Sequence, residues 1–189
     1  LMCLYAILQE SWRMAYLDEL TELPARRALR ERLQKVGGTY TVAMLDVDNF
    51  KKFNDTYGHD TGDAVLRMIA ARMRKVTGGG TPYRYGGEEF TVVFNGKGSE
   101  DATAHLEDLR ELIAGTAFVV NRRSRRSSDN TDKVSMGRKK PNSNKTVQVT
   151  VSIGVADSAQ DGGTPLEVVK RADKALYRAK QKGRNRVSN

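Results

Sequence analysis

The amino-acid sequence predicts an α/β or α+β sandwich built around one mixed sheet, and three observations lead there. Strand-like runs at 40–48, 81–86, 89–95, 117–121 and 145–156 alternate with segments of helical periodicity. The second and third of these runs meet at Gly86-Gly87, which reads as a tight hairpin turn. A chain of 189 residues is long enough to bury a core as one domain without covalent staples.

The elements follow in order. Residues 1–17 place Leu4, Ile7, Leu8, Trp12, Ala15 and Tyr16 on one helical face, as in a helix leading into the domain or the end of a parallel coiled-coil stem. Asp18 to Leu23 reads as a turn, and Pro24 suits the first turn of a helix to about Val36, with Leu29 and Leu33 inward and Arg26 and Arg27 on the surface. After the strand at 40–48, a short helix is expected near 51–57 and a longer one at about 63–76, with Val65, Leu66, Ile69, Ala70 and Met73 inward. Gly78-Gly79-Gly80 reads as a flexible connector into the hairpin. Ser99 is expected to cap a helix over 100–114 that buries Leu106, Leu109, Leu112 and Ile113, and His105 reads as an ordinary helix histidine. The last helix is placed at 164–181 with Pro165 in its first turn, followed by a cap at Lys182-Gly183-Arg184.

Composition narrows the classes. The single cysteine, Cys3, rules out an internal disulfide and suits a reducing compartment. No apolar run approaches the length of a membrane span and no signal-peptide pattern is present, so the chain reads as cytoplasmic, although a segment cut from a longer, membrane-attached protein would look the same. The net charge of +9 is local: 118–146 holds nine basic residues against two acidic ones. That stretch includes a loop at 121–144 with no apolar period, which reads either as a solvated hairpin extension or as a surface for a partner or an anion. It offers charge without aromatic stacking platforms, and no nucleic-acid binding is expected of it.

Two stretches carry chemistry. In Arg84-Tyr85-Gly86-Gly87-Glu88-Glu89-Phe90 the glycines allow positive φ and close approach of a phosphate to the backbone, while Glu88 and Glu89 project beside it. In Thr41-Val42-Ala43-Met44-Leu45-Asp46-Val47-Asp48 an apolar run ends in alternating aspartates, which period-two geometry puts on one face. Carboxylates clustered without His or Cys form a site for a hard cation, Mg2+ before Zn2+, and so suggest phosphate chemistry. The segment from Asn49 to Asp63 adds a lysine, an amide and another carboxylate.

Together with the turn at 18–27, the run Thr150 to Ala156 and the segment Ala172 to Asn185, these motifs make the chain resemble the GGDEF family of diguanylate cyclases, in its Gly-Gly-Glu-Glu-Phe variant. Five signatures in order cover nearly all of the chain from Asp18 onward. The resemblance implies a polymerase-palm-like, mixed and mostly antiparallel five-stranded sheet flanked by helices, in a catalytic domain over 18–189 that follows a signalling stem over 1–17. It implies condensation of two GTP into cyclic di-GMP and two pyrophosphates by a homodimer under an upstream sensor, with Mg2+, or Mn2+ in its place. Asp46, the Val47 carbonyl and Glu88 match the metal ligands. Glu88, or Glu89 beside it, matches the group that helps activate the 3′-hydroxyl, with Glu88 preferred. Asn54 and Asp63 match the guanine-reading positions; Asn49, Phe50, Lys51, Gly86, Gly87, Lys180 and Arg184 match phosphate-contacting ones, Asn49, Phe50 and the glycines through the backbone. The family's Arg-x-x-Asp product-inhibition motif falls at Thr77 and Gly80, so that site is expected to be absent, and the loop at 121–144 exceeds the family's usual connection. The alternative is a catalytically silent module that binds GTP or cyclic di-GMP.

Overall fold

The computed structural model describes residues 14–120, 145–159 and 163–189. The expected helix over 1–17 lies outside them apart from its last turn at Met14 to Tyr16, and the loop at 121–144 lies outside them entirely. The elements are α1 (Arg26–Lys35), β1 (Tyr40–Val47), α2 (Phe50–Tyr57), α3 (His59–Met73), β2 (Thr81–Gly86), β3 (Glu89–Asn95), α4 (Ser99–Ala114), β4 (Phe118–Val120), β5 (Lys145–Val147), β6 (Val151–Asp157), α5 (Pro165–Gln181) and β7 (Val187–Ser188). No helix among the described residues is long and apolar enough to cross a membrane.

The main sheet has five strands in the order β2-β3-β1-β6-β7, antiparallel except for the β6–β7 pair. This is the mixed, mostly antiparallel sheet expected, with one change of membership. Phe118–Val120 pairs with Lys145–Val147 in a separate two-stranded sheet, and the fifth place is taken by the tail strand β7. The expected strand at 145–156 is correspondingly broken at 148–150. There the chain swings inward, the Thr150 carbonyl accepting from the Asp48 backbone N–H at 2.9 Å.

β1 is the axis of the fold. All eight of its residues are buried, which is the pattern of a strand covered on both faces. Ala43, Leu45 and Val47 join α2, α3 and α4 in one core; Val42 and Met44 join α1 and α5 in the other. Asp46 has the parity of Val42 and Met44 and so emerges on the side covered by α5.

Several local expectations are corrected. α3 starts at His59, ahead of the expected 63, because Gly58 at φ 86° makes the break between helices and leaves the next residues free to be helical. Gly62 is buried within α3, where a Cβ would overlap the Asn54 Oδ1. Gly98, not Ser99, is the N-cap of α4; the Ser99 N–H is satisfied from across the fold by Asp157 Oδ2 at 2.8 Å. Leu112 is 39% exposed, on the outer side of α4. The triple glycine is packed at its two ends: a side chain at Gly78 would meet the His105 ring, and one at Gly80 would meet Phe94 and Val92, while Gly79 faces open space. Arg26 and Arg27 are exposed as expected, stacked over Tyr85 and Tyr16. At the start of α5 a capping box joins Thr164 and Glu167, with Pro165 in the first turn.

β6 and α5 touch most closely at Gly154, where an added Cβ would overlap the backbone nitrogen of Leu176 and the carbonyl oxygen of Ala172. Helix backbone cannot give way as a side-chain tip can, so Gly154→Ala should cost at least about 3 kcal/mol, the upper end for overpacking. Urea denaturation of the two proteins checks this. A midpoint unchanged by the substitution would mean that α5 is not seated on β6 in this way.

Candidate active site

The candidate residues lie at one end of the sheet, where β1 runs out between β3 and β6. Register places Asp46 directly opposite Glu89 on one side and Ser152 on the other. The Gly86-Gly87 turn is held against β1 by a hydrogen bond from the Val47 N–H to the Glu88 carbonyl, 3.3 Å. Gly86 and Gly87 sit at φ 154° and 51° with open space around each Cα, so backbone conformation and access, not crowding, call for glycine there.

On the α5 side, Lys180 in the last turn of α5 places its Nζ 2.9 Å from Asp46 Oδ2. Asp46 is 7% exposed. Burial pushes its carboxyl up; Lys180 pulls it back down, and Glu88 and Asp48 raise it again. Glu89, half-buried, is raised by burial and then by Asp46, with Lys180 opposing. Asp48 has a different environment. It accepts from Thr150 Oγ1 at 2.7 Å, Ser152 Oγ at 2.6 Å and the Asn185 N–H at 3.0 Å, which ties the tail to the end of β1 and occupies both carboxylate oxygens.

On the α2 and α3 side, Asn49 takes a left-handed conformation at φ 56° as the chain turns from β1 into α2. The Phe50 ring is buried in the core beside Phe53, so only its backbone can face a ligand. Asn54 and Asp63 project from the paired helices α2 and α3, both half-buried. Asn54 Oδ1 is buried with no hydrogen-bond donor among the described residues. Such an acceptor costs about 1–3 kcal/mol until a donor reaches it. Lys51 and Arg184 are exposed, Arg184 in a left-handed conformation at φ 65° beyond the end of α5. Among the described residues no ion pair joins Arg184 to the carboxylates, although its neighbour Asn185 is bonded to Asp48. A cleft of about 350 Å3 runs from Asp48 and Asn49 past Phe53 and Tyr57 to Gln148 and Thr150. A second groove, about 470 Å3, lies between α1 and the start of α5, and none of the candidate residues lines it.

Sequence reasoning missed Arg84 as a separate participant. It is 6% exposed, lies over the Phe90 ring at 4.8 Å and donates through Nη2 to the Gly87 carbonyl oxygen, bracing the turn from behind. Its Nη1 stands 3.8 Å from Asp18 Oδ1, and its backbone N–H donates to the Pro24 carbonyl at 2.9 Å. Burial lowers the guanidinium's pKa while Asp18, Asp63 and Glu88 oppose that. The available sign was an arginine next to buried Tyr83 in a strand otherwise made of residues that pack. At the positions of the missing inhibition motif, Thr77 Oγ1 shares a 2.8 Å hydrogen bond with His105 Nδ1, which gives that histidine a partner 28 residues away.

Chemically, this end of the sheet offers carboxylate oxygens, a lysine ammonium, open backbone at a glycine turn and an acceptor that lacks a donor among the described residues. Among the described residues no three His, Cys, Asp or Glu side chains converge on one point as a complete metal cage.

Comparison with known proteins agrees with this geometry. A family model described as "Diguanylate cyclase, GGDEF domain" matches residues 15–138 and 131–186. The response regulator PleD of Caulobacter vibrioides is 37% identical over 188 residues, 95% of this chain and 37% of PleD. Diguanylate cyclase A of Treponema denticola is 38% identical over 79% of this chain and 35% of its own length. The chain thus spans about a third of the length of these two relatives. Among solved structures, the coiled coil and GGDEF domain of DgcB from Caulobacter crescentus, in complex with c-di-GMP, aligns with a TM-score of 0.81 at 33% identity, covering 99% of this chain and 92% of that one. Fold, turn, carboxylates and comparisons agree: the chain belongs to the GGDEF-domain family of diguanylate cyclases.

Proposed function

We propose that this chain is a catalytic half-site for condensing two GTP into cyclic di-GMP, with release of two pyrophosphates. The observation that carries the reading is the meeting of buried Asp46, Lys180 and the Gly-Gly-Glu turn at the end of β1. Asp46, the Val47 carbonyl and Glu88 would hold Mg2+, or Mn2+ in its place. The donor set fits: all are hard oxygens, and Mg2+ is usually bound by one or two carboxylates with phosphates and water completing its shell, so a full protein cage is not needed. Bound there, the ion supplies positive charge to the phosphoryl oxygens and to the departing pyrophosphate.

The chain's own groups do the rest. Backbone N–H groups at Asn49, Phe50 and the glycine turn, with Lys51, Lys180 and Arg184, hold the triphosphate. Asn54 Oδ1 and the Asp63 carboxylate accept from guanine's N–H edge, which satisfies the buried orphan; adenine presents no matching pair of donors. The 3′-oxygen of one nucleotide bonds to the α-phosphorus of the other as the bond to the bridging oxygen breaks, and Glu88 takes the hydroxyl proton. One copy carries one such set of residues, so the second nucleotide comes from a partner copy in a homodimer. Residues 1–17 would join the domain to an upstream sensor. DgcB, whose solved structure includes a coiled coil next to its GGDEF domain, offers a parallel. Retention of Asp46, Glu88, Asn54, Asp63 and Lys180 together argues against the silent-module alternative. At Thr77 and Gly80 no arginine or aspartate is present to clamp product, so tight product inhibition is not expected.

Glu88→Gln should lower cyclic di-GMP formation from GTP and Mg2+ by at least about 100-fold with the circular-dichroism spectrum unchanged, since a half-buried turn residue is altered outside the core. Activity within a few-fold of wild type in a folded variant would remove Glu88 from the mechanism.

Asp63→Ala should weaken GTP binding by about ten- to a hundred-fold and narrow the preference for GTP over ATP. Calorimetric titration with both nucleotides tests it. Unchanged discrimination would place guanine recognition elsewhere.

A further inference from the structure

We infer that the Lys180 ammonium stands in for the divalent cation at Asp46: it holds the buried carboxylate while no metal is bound and leaves it when metal and nucleotide arrive together. The inference rests on the reading above, in which Asp46 is a metal ligand and Lys180 a phosphate contact.

Among the described residues, Lys180 is the cation paired with Asp46. Lys180 Nζ lies 2.9 Å from Oδ2, with the Asp46 side chain 10% exposed and the lysine side chain 35% exposed. The neighbouring carboxylate, Asp48, already accepts from Thr150, Ser152 and the Asn185 N–H, and although Glu89 opposite Asp46 also feels the ammonium, the ion pair is made to Asp46. A carboxylate as little exposed as this one needs a charged partner beside it. A divalent ion bonded to the same carboxylate would sit within a few ångströms of that ammonium, and two cations so close repel strongly in a poorly solvated site. The residue type suits relocation, because lysine is a point charge on a flexible four-carbon stem, whereas an arginine fork would be locked in place. Metal alone must therefore break the Asp46 ion pair and leave the ammonium to water and Glu89. A triphosphate provides anionic oxygens for the ammonium at the same moment as it completes the metal's shell. The two ligands then strengthen each other's binding by the same factor, as linkage requires.

The test measures Mn2+ binding alone, from the electron paramagnetic resonance of free Mn2+, in the wild type, Lys180→Met and Lys180→Gln, each with and without Asp46→Asn. The titrations are repeated with a non-hydrolysable GTP analogue. Circular dichroism confirms folding, and Lys180→Gln, which keeps a polar head, replaces Lys180→Met if the latter fails to fold. Removal of the ammonium should tighten nucleotide-free Mn2+ binding by at least about five-fold, a floor that allows for the wild-type lysine swinging clear. The gain should vanish with Asp46→Asn, and the analogue should enhance Mn2+ affinity less in the Lys180 variants than in wild type. If Mn2+ binding depends on Asp46 but is unchanged or weaker without Lys180, the stand-in role is overturned and the metal site remains. If Asp46→Asn changes Mn2+ binding in no background, the metal-site reading itself is overturned.

Discussion

A carboxylate at the end of a strand buried on both faces is the constraint around which the rest of this domain is arranged. β1 fills the centre of the sheet with eight buried residues, and its two apolar faces hold α1 and α5 on one side and α2, α3 and α4 on the other. Asp46 is carried by that strand to a position where burial opposes its charge, and the group that offsets this comes from a different element. The compensating ammonium of Lys180 comes from the far end of α5, while Glu88 and Glu89 from the hairpin add further negative charge beside it. The cationic partner depends on α5 lying in one register over β6, which the close approach at Gly154 fixes.

The second tier of residues keeps this end of the sheet in place. Asp48 spends its charge on two hydroxyls and a backbone N–H, fastening the segments at 150–152 and 185 to the end of β1. Arg84 does the corresponding work behind the turn, bonded to Gly87 and facing Asp18 from the segment that leads into the domain. A buried guanidinium with Nε and Nη1 lacking acceptors among the described residues is costly. Its place between Asp18, Asp63 and Glu88 offsets part of that cost and gives the turn a cationic support.

Much of this was legible in the sequence. Period-two alternation through Val42, Met44 and Asp46 gives the face on which the aspartate emerges, and Gly86-Gly87 between two β-rich runs gives the hairpin. Less legible were features decided by distant partners. Ser99 looks like a helix cap, yet its N–H is satisfied by Asp157, 58 residues away. The tail at 187–188 has no strand pattern of its own and pairs because β6 presents an open edge. Phe118–Val120 and Lys145–Val147 find each other and not the main sheet, since the chain at 148–150 is drawn in toward Asp48. The buried oxygen of Asn54 depends on two helices meeting at Gly62, a tertiary contact that spacing alone does not reveal.

On the proposed function, one end of this sheet holds a metal at Asp46 and reads guanine at Asn54 and Asp63. The most direct measurement is a crystal structure with Mn2+ and a non-hydrolysable GTP analogue, with the metal located by anomalous scattering. The account predicts an Mn2+ peak in bonding contact with the Asp46 and Glu88 carboxylates and the Val47 carbonyl, and the guanine edge on Asn54 and Asp63. A metal bound away from Asp46, or a guanine seated outside the α2–α3 pair, would contradict it.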